Sequence, residues 1–220
     1  MTIIGISGSP VANSNTDRAV RIALEATGQE TEFIKLSDYS FQPCRACLGC
    51  EETNVCILMD DATNLAQKIR HADALIVAGY TPYRSLDGRT KSLLERLWQL
   101  RHKNGLMRGK PGGIIVTSAT PPGNAPMSSP MENAVSSIQQ YMMTEGMEIV
   151  GAVGIVGNVP CVRCGPGEDC IMSGLKRRFG QDIVRKTVPI QKVEDQKEVV
   201  AALVAMGTEI GKRVVNSRTR

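Results

Sequence analysis

The sequence predicts an α/β fold, a doubly wound five-stranded parallel sheet, and three observations carry the prediction. Five short apolar runs recur along the chain. Segments of helical period separate them, so that strand and helix alternate and helices cover both faces of the sheet. Polar, glycine- and proline-bearing loops follow several of the runs, at the carboxyl ends where such sheets bind ligands.

The elements follow in order. Thr2–Ser7 reads as a buried parallel strand running into a loop. Ser14–Ala26 has helical spacing, with Ala19, Ile22 and Ala23 on one face. Thr31–Leu36 is the second strand, and residues 37–59 form a long loop. Asp60 or Asp61 is placed to cap a helix running to about Arg70, with Leu65 and Ile69 inward. Ala74–Ala78 is the third strand, followed by a loop at 79–88 and a helix from Thr90 to Leu100. Gly113–Thr117 is the fourth strand, and 118–130 is a proline-rich loop. A helix from Met131 to Glu145 leads to the fifth strand, Glu148–Val156. An irregular insertion, 157–194, precedes a last helix from about Asp195 to Val215. The expected strand order is 2-1-3-4-5, within a single domain spanning 1–220. The loops 7–16, 79–88 and 118–130 then converge on one crevice.

Composition narrows the function. Aromatic residues make up only 4% of the chain, which argues against a base-stacking nucleic-acid surface. The net charge of +4 is mild and scattered, except in the tail Lys212–Arg220, which reads as a solvated helix end. No signal peptide or membrane span is visible, so a cytoplasmic protein beginning at Met1 is expected. Seven cysteines fall into two groups: Cys44, Cys47, Cys50, Cys56 and Cys161, Cys164, Cys170. In a reducing compartment such clustering points to metal or redox chemistry rather than disulfides.

The first strand empties into Ser7-Gly-Ser-Pro-Val-Ala-Asn-Ser-Asn-Thr16. Hydroxyls and backbone N–H groups at a helix N-terminus suit a phosphate monoester. The loop has no lysine for a triphosphate and no Gly-x-Gly-x-x-Gly for a dinucleotide. An ordinary capped turn is the alternative.

Cys44-x2-Cys47-x2-Cys50-x5-Cys56 gathers four thiols within thirteen residues. Successive x2 spacings suit an iron–sulfur cubane better than zinc, which normally takes two pairs separated by a longer spacer. A zinc knuckle or unligated thiols are the alternatives. Cys161-x2-Cys164-x5-Cys170 repeats the last two spacings but lacks a fourth cysteine. It reads as a second metal site, with Glu168 or Asp169 as oxygen donors, or as reduced thiols in a Gly/Pro-rich turn.

Taken together, Ser7-Gly-Ser-Pro with Asn13-Ser-Asn-Thr16, the compact Cys44–Cys56 motif before Asp60-Asp61, and Thr81-Pro-Tyr-Arg-Ser-Leu-Asp-Gly88 resemble the iron–sulfur flavoproteins of the NAD(P)H-dependent FMN reductase superfamily. The likeness spans about 1–155. It implies a flavodoxin-like fold, FMN, a [4Fe–4S] cluster on the four early cysteines, and a homodimer or homotetramer. By this resemblance Ser7, Ser9, Asn13, Ser14, Asn15 and Thr16 hold the phosphate. Thr81, Pro82, Tyr83, Arg84 and Ser85 line the isoalloxazine, and Ser118, Ala119 and Thr120 form its third wall. The loop Pro121–Pro130 departs from the family, where this segment is often glycine-rich with an Arg-Asn pair.

The resulting expectation is a flavin-dependent oxidoreductase that passes electrons between a one-electron carrier such as ferredoxin and an acceptor of reduced flavin. The competing readings are an NAD(P)H-dependent FMN or quinone reductase with a structural metal, and a non-enzymatic redox or metal sensor. No general acid or base is required. His71 and His102 read as surface or capping residues, Trp98 as core or interface, and Met142, Met143 and Met147 as packing on the sheet. Met127 and Met131 are expected nearer the crevice.

Overall fold

The computed structural model describes residues 1–121 and 128–217. Its sheet is parallel throughout, in the order β2-β1-β3-β4-β5, as the alternation predicts. The strands are β1 (Thr2–Ser7), β2 (Glu30–Lys35), β3 (Ala74–Tyr80), β4 (Pro111–Ser118) and β5 (Glu148–Val156). β1, β3 and β4 are buried at nearly every position, because helices cover both of their faces.

The helices are α1 (Asn15–Ala26), α2 (Asp61–His71), α3 (Gly88–Arg96), α4 (Pro130–Thr144), α5 (Gly174–Phe179) and α6 (Lys197–Ser217). On one face, Ala19, Val20, Ala23 and Leu24 of α1 meet Leu203, Met206, Ile210 and Val214 of α6 over the sheet. On the other, Leu65 and Ile69 of α2, Leu93 and Leu94 of α3, and Ala134, Ile138 and Met142 of α4 form the second core. Each fully buried Leu or Ile contributes roughly 1.5–3 kcal/mol by leaving water. Gly207 and Gly211 let α6 lie directly on the end of α1: a Cβ at either would stand 2.1 Å from the carbonyl oxygen of Ala23 or Thr27.

Several boundaries differ from expectation. α3 ends at Arg96 and continues as a tighter 3-10 turn, Leu97–Leu100. The stretch expected to be irregular holds the short helix α5, capped by Ser173, whose hydroxyl accepts the Lys176 N–H. Met142 and Met147 are buried, whereas Met143 is exposed, since consecutive helix positions face different ways. Met131 packs in the core beneath β5, against Gly154, rather than in the crevice. The expectation for Met127 lies outside the described residues. Asp60 occupies the N-cap position of α2 but does not cap it, because its carboxylate is engaged by Arg96. Among the described residues no helix is long and apolar enough to cross a membrane.

Candidate functional site

The carboxyl ends of β1, β3 and β4 open onto a crevice of about 990 Å³. The loop after β1 forms one side, with Ser9, Asn13, Ser14, Asn15 and Thr16 on its lining. Ser14 caps α1 by accepting the Asp17 N–H at 3.1 Å, and Asp17 returns the bond by accepting the Ser14 N–H. Asn13 takes a left-handed backbone, φ 48°, a region Asn enters more readily than most residues. Two residues brace the loop from behind. Lys35 on β2 donates to the carbonyls of Ser9 and Val11, both at 2.9 Å, and lies 2.7 Å from Asp17 Oδ2. Gly8 permits the loop to press on α3, since a Cβ there would meet Thr90 Oγ1 at 1.8 Å.

Thr81, Pro82 and Ala119 also line the crevice, with Tyr80 and Thr117 between them. Ser7 does not reach the lining: it is buried, and its hydroxyl donates to Asp17 Oδ1 at 2.5 Å. Ser118 is buried behind the wall and accepts the Thr81 hydroxyl at 3.0 Å and the Thr120 N–H at 3.1 Å. Tyr83, Arg84 and Ser85 lie on the rim and outside the lining. Tyr83 is fully exposed at φ 47°, and Arg84 donates to the Ser128 carbonyl at 2.8 Å.

The opposite wall was not expected from the sequence. Residues of the insertion, including Gly157–Pro160, Val162, Arg163 and Ile190–Lys192, close over the crevice. Asn15 ties this lobe down, donating to Gln191 O at 2.8 Å. Arg18 lines the crevice too, and Glu194 accepts its Nε–H at 2.5 Å. Arg18 reads in the sequence as an exposed helical cation; only its place one turn into the helix after the polar loop marks it.

The four early cysteines line one recess between the cysteine loop and the end of α3. Arg96, Trp98, Gln99 and His102 complete it, the Trp98 and His102 rings stacking at 5.7 Å. Burial pushes the Cys50 thiol up, and the negative charge of Cys56, Cys44 and Cys47 adds to this. Four thiolates held together repel one another, and a cationic centre relieves that repulsion. Backbone N–H groups point at two of the sulfurs, Ala46 to Cys44 at 3.4 Å and Leu58 to Cys56 at 3.5 Å. The four sulfurs line this one recess.

The loop around this recess carries left-handed backbone at Ala46, Leu48 and Asn54, each at a steric cost. Its anchors offset that cost. Asn54 is buried and donates to Gln99 O and His102 O, both at 2.7 Å, while Cys56 N–H donates to Gln99 Oε1 at 2.9 Å. The second cysteine group lies in the lobe beside the crevice. Cys161 is half-buried and accepts the Gly174 N–H at 3.3 Å, Cys164 is exposed, and Arg185 donates to the Cys164 carbonyl at 2.7 Å.

The profile of the NADPH-dependent FMN reductase family matches residues 1–150, so the lobe with the second cysteine group lies beyond the match. An iron–sulfur flavoprotein of Methanosarcina thermophila is 32% identical over 154 residues, covering 69% of this chain and 78% of the relative. An iron–sulfur flavoprotein of Methanocaldococcus jannaschii is 34% identical over 154 residues, covering 69% and 76%. Among solved structures, an archaeal flavodoxin superposes with a TM-score of 0.53 at 13% identity, over 97% of this chain and 99% of that one. With its parallel sheet, its polar crevice loop and its early thiol recess, the chain belongs to the NADPH-dependent FMN reductase family, in the iron–sulfur flavoprotein group.

Proposed function

We propose that this chain is a flavin-dependent oxidoreductase that binds FMN in the crevice and a [4Fe–4S] cluster on Cys44, Cys47, Cys50 and Cys56. It would pass electrons between a one-electron carrier such as ferredoxin and an acceptor of reduced flavin. The single observation carrying this reading is that one chain of this family forms both a polar crevice at the strand ends and a recess lined by four thiols.

The residues fit both groups. The crevice volume lies at the upper end of the usual range for small-molecule sites, roughly 300–1,000 Å³. Its loop offers hydroxyls and the N-terminal amides of α1, suited to a phosphate monoester. Arg18 adds a cation at the same end, and Glu194 orients it. Thr81, Pro82 and Ala119 would flank the flavin ring. In the recess, a lone zinc ion would draw every sulfur to about 2.3 Å from one point. Four thiols supplied from one short loop suit a cubane, and Arg96 carries a buried Nε–H beside them. When bound, the cluster exchanges single electrons and FMN one or two, so the protein supplies position and electrostatics.

The same reading places the protein in the cytoplasm, where seven unpaired cysteines stay reduced. It also favours a homodimer or homotetramer, since Leu48, Ile57 and Met59 beside the thiol recess and Tyr83 on the crevice rim expose apolar surface for a second copy to cover.

Iron, sulfide and flavin analysis of anaerobically prepared protein tests the proposal. About four irons and one FMN per chain are expected, with broad visible absorbance. Cys50→Ala should abolish the cluster and leave FMN bound. Full iron in that variant, or zinc alone in the native chain, would overturn the ligand assignment.

A further inference from the structure

We infer that Arg96 is a positioning residue for the thiol recess: its buried guanidinium holds the cysteine loop, and its remaining N–H donates to a sulfur of the bound cluster and raises the cluster's reduction potential. This rests on the cofactor reading above. The guanidinium is fully buried, at 0% side-chain exposure, where arginine is almost never found without partners. Nη1 donates to Asp60 Oδ2 at 2.7 Å and to Gln42 O at 2.8 Å. Nη2 donates to Leu58 O and Thr63 Oγ1, both at 3.2 Å. Asp60 itself accepts the Gln42 N–H at 3.0 Å. One side chain thus fastens the cysteine loop, both before Cys44 and after Cys56, to the start of α2.

Those four bonds leave one donor over. Arg96 Nε is buried without a hydrogen-bond partner, and Arg96 lines the same recess as the four cysteines. A native protein seldom strands a buried donor, and the Cys56 side chain lies within hydrogen-bonding reach of this guanidinium, so the donor left over by the oxygen acceptors faces a sulfur. A thiolate or sulfide sulfur is the acceptor available in this recess. Burial opposes the charge on Arg96, but the hydrogen bonds to Asp60 and Cys56, with the charges of both, outweigh it and keep the guanidinium protonated. Arg45 and His102 also line the recess, but neither is fully buried as Arg96 is.

The sign follows. Reducing a thiolate-held cluster adds negative charge. A buried cation and an N–H donor stabilise the reduced form, so both raise the potential. Arg96→Gln removes charge and fork; Arg96→Lys keeps the charge without the planar fork. Should Arg96→Gln fail to fold, Asp60→Asn/Arg96→Gln also removes the carboxylate left behind.

Spectroscopically monitored potentiometry of anaerobic protein reads the effect. At a fixed potential the oxidised-to-reduced ratio of the cluster should rise about tenfold in Arg96→Gln, about 59 mV for one electron. Arg96→Lys should fall between, and the flavin midpoint should stay put. A merely structural role would lower iron content and leave the midpoint of the retained clusters unchanged, and that result overturns the inference. Native protein without iron fails the cofactor reading before any variant is made, and the inference with it.

Discussion

Asn15 Oδ1 accepts the backbone N–H of Val193 at 3.1 Å, joining the first turn of α1 to a residue 178 positions later. The same side chain donates to Gln191 O and accepts an Arg18 N–H at 2.6 Å. One amide therefore locks the crevice loop, its cation and the far wall in register. Val193 is itself fully buried in the core under α1 and α6, which gives the lobe a fixed point.

Asn15→Ala should leave the Gln191 carbonyl and the Val193 amide without partners. We expect a loss of about 1–3 kcal/mol in chemical denaturation. We also expect severalfold weaker FMN affinity, read by quenching of flavin fluorescence. Unchanged affinity together with full stability would show that the lobe is held by other contacts.

Asp17 predicts an acid limb to stability. Burial pushes its carboxyl up, but hydrogen bonds from Lys35, Ser7 and the Ser14 N–H outweigh this and hold it below its ordinary value. A depressed carboxyl contributes stability that is complete above the unfolded pKa and lost as pH falls through the folded one. Denaturant midpoints should therefore decline below about pH 4, and Asp17→Asn should flatten that decline while lowering stability near neutrality. The neutral-pH loss is about 1–3 kcal/mol, because the half-buried Lys35 would be left beside an uncharged partner. A wild-type acid slope persisting in Asp17→Asn would assign it to other carboxylates.

The second thiol group yields a prediction with the opposite sense to Cys50→Ala. Cys161 is already satisfied by the Gly174 N–H, Cys164 is exposed, and the group lacks a fourth cysteine. Cys161→Ser/Cys164→Ser/Cys170→Ser should keep about four irons per chain. Iron falling in proportion in that triple variant, with the early cysteines intact, would establish a second centre in the lobe.

The sheet was legible because its signal is local. Runs such as Ala74–Ala78 are short, apolar and bounded by loops, and the alternation with helices fixes their order. The cysteine recess was legible for the same reason, as its four thiols are close in sequence. What escaped was long-range. Arg96 looks like an ordinary cation at a helix C-terminus until Asp60 and the carbonyls of Gln42 and Leu58 are seen to surround it. The crevice wall from 157–163 and 190–195 has no period and many turn residues, so nothing local says where it folds. Ser7 was misleading in the other direction. It belongs to a hydroxyl-rich loop, but at the end of a buried strand its side chain faces Asp17 instead of the crevice.

The lobe that walls the crevice also sets an order of assembly during synthesis. The floor of the crevice comes from the first 119 residues and its last wall from residues up to 195, with β5 in between. A nascent chain therefore presents its early thiols before Trp98 and His102 have emerged to shield them. It also completes all five strands before the far wall of the crevice has been made.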